Sequence, residues 1–345
     1  MNEKEDIRSF SYDKLKECMT SLGEKPFRAD QIFDWLHVKK VNDFSEMSNL
    51  SQKLRERLSE EYAVYTVQAV STLVSEDGTR KYIHRLHDGN VIETVLLKYE
   101  HGNSVCISSQ VGCRMGCRFC ASTVDGLVRN LTAGEMAAQI YSVEADIGER
   151  VSHVVVMGSG EPLDNFDNFT GFIELITDSR GSCISARNIT ASTCGIVPKI
   201  RQLADRKYQI TLAISLHAVT DEKRKTIMPV ANRYSVSEIT DACRYYFEKT
   251  NRRITLEYSL ISGFNDTAED AVLLAGIAKS LAAHVNLIPI NPIEERNYSP
   301  TSRKDAVELK NKLEKNNINV TIRREMGRDR QASCGQLRRK YIESL

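Results

Sequence analysis

A regular alternation of short apolar runs and amphipathic segments constrains the fold of this chain most strongly. Between residues 105 and 323, six apolar runs with strand character are each followed by a segment with helical spacing, and a seventh strand closes the series. The connections are short, as in parallel sheets built from βα units. We therefore predict an α/β fold with a partial TIM-type (β/α)6 barrel, whose chemistry should lie at the carboxyl ends of the strands.

Two smaller units precede the predicted barrel. Residues 1–62 carry apolar residues at helical spacing in three segments and are predicted to form a small helical domain. From 63 to 104 the pattern changes to alternation, with predicted strands at 65–70, 81–86 and 91–97 and turns at Asp77-Gly78 and Asp88-Gly89. This pattern predicts a β-meander leading into a core at 105–345.

Composition excludes several classes of protein. The chain has 345 residues, is 41% hydrophobic and 27% charged, and carries a net charge of +1. These values are typical of a globular protein, and no apolar run approaches the roughly 20 residues of a membrane helix. The charged N-terminus shows no signal peptide, so the nine cysteines indicate a reducing, cytoplasmic setting rather than a disulfide framework.

Three of those cysteines form a compact motif. Cys113, Cys117 and Cys120 are spaced C-x3-C-x2-C directly after the first predicted barrel strand, and Cys106 stands ahead of them. Structural zinc sites and ordinary iron–sulfur clusters use four protein ligands. Three thiolates leave one coordination position open for a substrate or cofactor. A closed zinc site with Cys106 as its fourth ligand is the alternative.

Small polar groups recur where the predicted strands end. Together they suit a polar cofactor lying across the barrel mouth, although each alone is more often a helix cap. They are Gly160, Glu161, Ser192, Ser215 with Leu216 and His217, and Asn291. A carboxylate, Glu93, interrupts an apolar run upstream and must be paired, point away from the sheet or serve chemistry.

The C-terminal stretch is locally basic. Residues 323–340 contain seven basic and two acidic residues, which is a plausible footprint for phosphates, although a solvated helix end is the plainer interpretation. Cys334 lies within this stretch, where neighbouring arginines should lower the pKa of its thiol.

The cysteine motif, the 129–132 and 157–163 segments, Ser215-Leu216-His217 and the segment around Cys334 resemble the RlmN/Cfr group of radical S-adenosylmethionine (SAM) RNA methyltransferases. The resemblance covers nearly the whole chain, and 324–329 with the helical N-terminus resembles the RlmN branch. It implies methylation of carbon 2 of an adenosine in 23S rRNA, at the peptidyl transferase centre, and of the adenosine next to the anticodon in some tRNAs.

The resemblance also implies cofactors, residue roles and a C-terminal catalytic segment within the core at 105–345. Cys113, Cys117 and Cys120 would hold a [4Fe-4S] cluster, and two SAM molecules would be used per turnover. Cys334 would be methylated first, Cys106 would release the product through a transient disulfide, and Glu93 would accept a proton. The remaining matches would contact SAM: Gly160, Glu161, Ser192, Ser215, Leu216, His217 and Asn291.

The same resemblance suggests the partners. They are 23S rRNA and tRNA, bound in part by residues 1–62, and an external flavodoxin-like electron donor, with a monomer and no membrane expected. Three alternatives stay open: a Cfr-type enzyme acting at carbon 8 and giving antibiotic resistance, a zinc-stabilised RNA-binding protein, and a radical SAM enzyme with a small-molecule substrate.

Overall fold

The computed structural model describes residues 4–290, 298–323 and 341–342. Its α-helices, in chain order, are α1 (Tyr12–Ser21), α2 (Arg28–His37), α3 (Gln52–Glu61), α4 (Ala133–Ile147), α5 (Phe166–Thr177), α6 (Val197–Asp205), α7 (Asp221–Ile227), α8 (Val236–Thr250), α9 (Ala268–Ser280) and α10 (Arg303–Lys315). Its strands are β1 (Glu5–Asp6), β2 (Tyr62–Ala63), β3 (Gln68–Val74), β4 (Arg80–Arg85), β5 (Val91–Tyr99), β6 (Gly102–Ile107), β7 (Gln110–Gly112), β8 (Leu127–Asn130), β9 (Val151–Val156), β10 (Ile189–Thr193), β11 (Thr211–Ser215), β12 (Thr255–Leu260), β13 (His284–Pro289) and β14 (Val320–Ile322).

One sheet of ten strands organises the described residues, in the order β14-β13-β12-β11-β10-β9-β6-β5-β4-β3. The strands from β6 to β14 in this order are parallel, and β5, β4 and β3 continue the sheet in antiparallel pairing. Consecutive parallel strands are neighbours joined through helices, which is the βα order predicted from the sequence. The predicted partial α/β barrel is therefore confirmed.

The meander shares the barrel's sheet. Five register pairs join β5 to β6, so the antiparallel strands extend the barrel wall. The first meander strand was predicted too early, at 65–70, whereas β3 runs from Gln68 to Val74. Tyr65 is instead stacked on His87 with ring centroids 3.6 Å apart. The boundaries proposed between the three units stay a prediction.

Local sequence chemistry fixes the helix starts. Thr132 caps the start of α4 with a capping box, since its hydroxyl accepts from Glu135 N–H and the Glu135 carboxylate accepts from Thr132 N–H. The sequence did not predict the β1-β2 pair, the β7-β8 hairpin or the short helix α7, whose start is capped by the hydroxyl of Thr220.

The N-terminal unit is attached to the barrel by buried polar groups. The carboxylate of Asp6 accepts hydrogen bonds from the Thr132 hydroxyl at 3.0 Å and from Tyr65 N–H at 3.2 Å. Ser9 accepts from Gly134 N–H at 2.8 Å. These bonds hold the first residues against the start of α4, which follows the cysteine loop and β8 in the chain.

Among the described helices, none combines the length and hydrophobicity needed to cross a bilayer.

Candidate active site

The strand register brings four of the predicted site residues to one face of the sheet. Side chains two apart on a strand, and residues paired across neighbouring strands, point to the same face. Cys106 pairs with both Val95 and Val155, and Val155 pairs with Thr190. The same face is reached by moving two residues along a strand or across to a paired residue on the next strand. Six residues share it: Glu93, Cys106, Ser192, Ser215, Glu257 and Asn286.

The three-cysteine loop begins at the carboxyl end of this parallel array. It follows β6 and the short strand β7, and it is fastened at Cys113, whose N–H donates to the carbonyl of Gly126 at 2.8 Å. Cys113 and Cys117 are buried, and Cys120 is partly buried. Within the loop, Arg118 N–H donates to the carbonyl of Ile227 at 2.8 Å, so the end of α7 packs against the cysteine loop.

The glycine-rich loop after β9 lies against the start of β7. Gly160 has φ of +103°, and a Cβ there would lie 2.6 Å from the Cβ of Gln110. Glu161 N–H donates to Gln110 Oε1 at 2.8 Å. The Glu161 carboxylate accepts from Cys194 N–H at 2.7 Å and Leu163 N–H at 3.0 Å, and burial raises its pKa. The carboxylate thereby ties the end of β9 to the end of β10.

The ends of β10 and β11 also meet. Ser192 Oγ lies 2.9 Å from Ser215 Oγ, so these two predicted residues form one hydroxyl pair on the inner face. Leu216 is buried, and its N–H donates to the carbonyl of Glu257 at 3.1 Å. His217 adopts φ of +56°, and its Nδ1 accepts from Ser259 N–H at 3.0 Å. Burial lowers the pKa of His217 to about 3, which keeps the imidazole neutral.

Glu93 is paired and buried at the same edge. Its carboxylate lies 3.2 Å from Lys81 Nζ, and both side chains are almost fully buried. The backbone carbonyl of Glu93 accepts from Ser108 Oγ at 2.7 Å, which fixes the strand beside the cysteine loop. Cys106 lies on the neighbouring strand on the same face and is buried. The structure therefore brings Glu93 and Cys106 to one side of the barrel mouth, and their catalytic roles stay predictions.

Three further groups at this edge were missed from the sequence. Lys81 forms an ion pair with Glu93, and Glu257 accepts from Asn286 Nδ2 at 2.8 Å within the polar row. Arg224 of α7 is buried below the ends of β10 and β11. Glu257 interrupts an apolar run as Glu93 does, so the same signal could have found it. Lys81 and Arg224 carry no such signal, because a long cation near a strand or helix is usually solvated.

Two predicted residues lie outside the described part of the chain, namely Asn291 and Cys334. Most of the basic stretch at 323–340 lies outside it as well. No disulfide joins the described cysteines, and the predicted transient pairing of Cys106 involves Cys334. The roles assigned to Asn291 and Cys334 stay predictions.

Comparison with known proteins places these features in a family. Residues 5–64 match the family described as the ribosomal RNA large subunit methyltransferase N-terminal domain, and residues 107–275 match the radical SAM superfamily. A protein of Lachnospira eligens named "Probable dual-specificity RNA methyltransferase RlmN" is 59% identical over 341 residues, covering 99% of this chain and 97% of that protein. The chain belongs to the RlmN family.

Other relatives agree with this assignment. A Clostridium perfringens protein of the same name is 55% identical, over 98% of this chain and 98% of the relative. A crystal structure of a radical SAM methyltransferase from Sphaerobacter thermophilus is 37% identical and superposes with a TM-score of 0.91, covering 96% of this chain and 98% of that one. The resemblance to RlmN noted in the sequence is confirmed over the whole length.

Radical SAM proteins of the RlmN family use a [4Fe-4S] cluster and SAM, and the cysteine loop fits such a cluster. Burial raises the pKa of Cys113 to about 12, and neighbouring Cys120 contributes to the rise. The pKa of Cys117 is raised by burial and then by Cys120 and Cys113. The three sulfurs therefore lie within electrostatic range of one another, where bound iron would favour the thiolates.

The family assignment supports a [4Fe-4S] cluster with SAM over the alternative zinc site. Among the described residues, no group of three or more His, Cys, Asp or Glu side chains converges closely enough to hold a single metal ion. A cluster makes a different demand, because each thiolate binds a separate iron atom. The predicted cluster ligands of this RlmN-family chain therefore stay Cys113, Cys117 and Cys120.

Proposed function

We propose that the protein methylates carbon 2 of an adenosine in 23S rRNA and of the adenosine next to the anticodon in some tRNAs. One observation carries the proposal: in a chain of the RlmN family, the three-cysteine loop lies at the carboxyl edge of the barrel that also carries Glu93, Cys106 and the Ser192–Ser215 pair. The named relatives are dual-specificity RNA methyltransferases, which supports both RNA substrates.

Carbon 2 of adenine lies between two ring nitrogens and is electron-poor. The methyl group of SAM is an electrophile, so direct polar transfer to this carbon is mismatched. A [4Fe-4S] cluster, which Cys113, Cys117 and Cys120 would hold, would supply the one-electron chemistry that a radical route from SAM requires. The barrel mouth excludes water from this chemistry and orients SAM through the polar groups at the strand ends.

The chain's own thiols carry the methyl carbon. Cys334 takes a methyl group from one SAM by displacement, with its thiolate as nucleophile. Radical chemistry from a second SAM would remove one hydrogen atom from this S-methyl group, and its carbon would then bond to carbon 2 of the base. Cys106 would next attack the sulfur of Cys334, with its thiol proton passing to the departing carbon, which would release the methylated RNA and leave a disulfide. Glu93 accepts the proton lost from carbon 2. Its ion pair with Lys81, at 3.2 Å, supports this role, because the contact holds the buried carboxylate at a fixed position on the inner face.

The remaining partners follow from this chemistry. We propose that an external one-electron donor of flavodoxin type reduces the cluster and that the protein acts as a monomer in the cytoplasm. Entry of the adenine into the barrel mouth requires the base to leave its stack. The helical N-terminal unit at 5–64, matched to the RNA methyltransferase family domain, would bind the surrounding RNA.

Anaerobic reconstitution with iron, sulfide, SAM and 23S rRNA tests the proposal, with nucleosides analysed by mass spectrometry. We expect 2-methyladenosine in the wild type. We expect no product from Cys334→Ala, which should still assemble its cluster, and a protein–RNA adduct in denaturing gels from Cys106→Ala. Product at carbon 8 would instead support the Cfr-type activity. Unmodified RNA with a brown, cluster-loaded protein would contradict the proposed function.

A further inference from the structure

Arg224 is a fully buried cation whose hydrogen bonds leave one nitrogen unused. Its Nε donates to the carbonyl of Leu216 at 3.1 Å, and its Nη2 donates to the carbonyls of Cys194 at 2.5 Å and Ser215 at 3.3 Å. Nη1 is buried and has no hydrogen-bond partner among the described residues. All three of these acceptors are neutral carbonyl oxygens, so they satisfy N–H groups without neutralising the charge.

Such an arrangement is unfavourable by itself. A guanidinium group stays protonated in proteins, so burial removes its hydration without removing its charge. Burial accordingly lowers the pKa of Arg224. Asp221 on the same helix raises the pKa of Arg224 less than the thiols of Cys194 and Cys117 do. Its carboxylate accepts a hydrogen bond from Val236 N–H at 2.7 Å instead. A buried cation of this kind indicates that an anion belongs nearby.

The surroundings identify where that anion would be. The acidic groups that most favour the charged form of Arg224 are the thiols of Cys194 and Cys117, and Cys117 is a predicted cluster ligand. The helix that carries Arg224 is fastened to the cysteine loop, since Arg118 N–H bonds to Ile227 and Gly116 lies against Pro229. The guanidinium is thus held at a fixed position behind the loop.

We propose that Arg224 is the counter-charge of the iron–sulfur cluster and raises its reduction potential. Three thiolates give the oxidised cluster a net negative charge, and reduction adds one more electron. A fixed buried cation stabilises the reduced form more than the oxidised form, and in a dry site water screens this effect little. This inference rests on the proposed function, because it requires a cluster on Cys113, Cys117 and Cys120.

The test compares Arg224→Met with Lys225→Met in full-length, anaerobically reconstituted protein. Lys225 is the next residue of the same helix and is exposed, so its removal changes the net charge equally but in water. Midpoint potentials are measured by redox titration followed by electron paramagnetic resonance. We expect the equilibrium constant for cluster reduction to fall at least tenfold in Arg224→Met, which lowers the midpoint potential by 59 mV for one electron. The same constant should change less than threefold in Lys225→Met.

Two further variants separate charge from hydrogen bonding. Arg224→Lys keeps the charge and should hold the midpoint near that of the wild type, whereas Arg224→Gln keeps a donor but should shift as Arg224→Met does. Equal midpoints for the wild type, Arg224→Met and Arg224→Gln would overturn the proposal. If every Arg224 variant, Arg224→Lys included, fails to fold even without iron, Arg224 is a structural clamp and the proposal is wrong. A wild type that binds no cluster would instead contradict the proposed function.

Discussion

Gly160→Ala tests how closely the loop after β9 must approach β7. The added Cβ would lie 2.6 Å from Gln110 Cβ and 2.7 Å from Gln110 N, in a backbone conformation with φ of +103°. A positive φ costs an L-residue about 1–2 kcal/mol. Overpacking against a rigid strand adds about 1–3 kcal/mol. We therefore expect a loss of about 2–5 kcal/mol in the free energy of unfolding.

Gly148→Ala is the matched control. Gly148 ends α4 with φ of +66°, but an added Cβ would meet nothing within 4 Å. This variant carries only the backbone cost of about 1–2 kcal/mol. The difference in the free energy of unfolding between the two variants therefore measures the cost of the contact between the loop after β9 and β7.

Urea titrations of the protein without iron measure the stabilities, and equilibrium binding of SAM to the cluster-loaded protein gives the functional effect. Because Gln110 Oε1 positions Glu161 N–H, we expect Gly160→Ala to weaken SAM binding at least tenfold, with little change in Gly148→Ala. If Gly160→Ala were no less stable than Gly148→Ala, the loop would not need this approach, and the reasoning would be refuted.

Three other predictions concern single groups. Burial lowers the pKa of His84 to about 3 in the folded chain, so below about pH 6.5 the unfolded chain binds one more proton and the folded state loses stability as the pH decreases. His84→Gln should therefore reduce this pH dependence by about 1.4 kcal/mol per pH unit in urea titrations between pH 4 and 6. An unchanged slope would contradict the prediction. Thr132→Ala removes the cap of α4 and the hydrogen bond to Asp6, so we expect the free energy of unfolding to fall by about 1–2 kcal/mol. An unchanged free energy of unfolding would show that the cap is redundant. Glu93→Gln should still allow methylation of Cys334 in peptide mass spectra but give no methylated adenosine, and normal turnover would exclude Glu93 as the proton acceptor.

The fold could be predicted because its signals are local and repeated. Each barrel strand is a short apolar run, and the start of a helix such as α4 is marked by capping residues such as Thr132 and Glu135. The start of β3 was misplaced because alternation continues through Tyr65, which stacks on His87 instead of pairing in the sheet. Alternation alone does not set which residues pair.

The candidate site was predictable in part for a different reason. Cysteine spacing and polar residues at strand ends are visible in the sequence, and the register places Cys106, Ser192 and Ser215 on one face. Lys81 and Arg224 were missed because their importance comes from burial and from partners distant along the chain. Such tertiary pairing leaves no local pattern, since charged residues of this kind are usually exposed.

The central claim is that a sulfur of the chain carries the methyl carbon to the RNA base by a radical route. Nucleoside mass spectrometry after turnover with SAM bearing a trideuterated methyl group tests it most directly. Because the S-methyl group must lose a hydrogen atom before it joins the base, the account predicts product adenosine that retains two of the three deuterons. Product retaining all three would show direct transfer and would contradict the account.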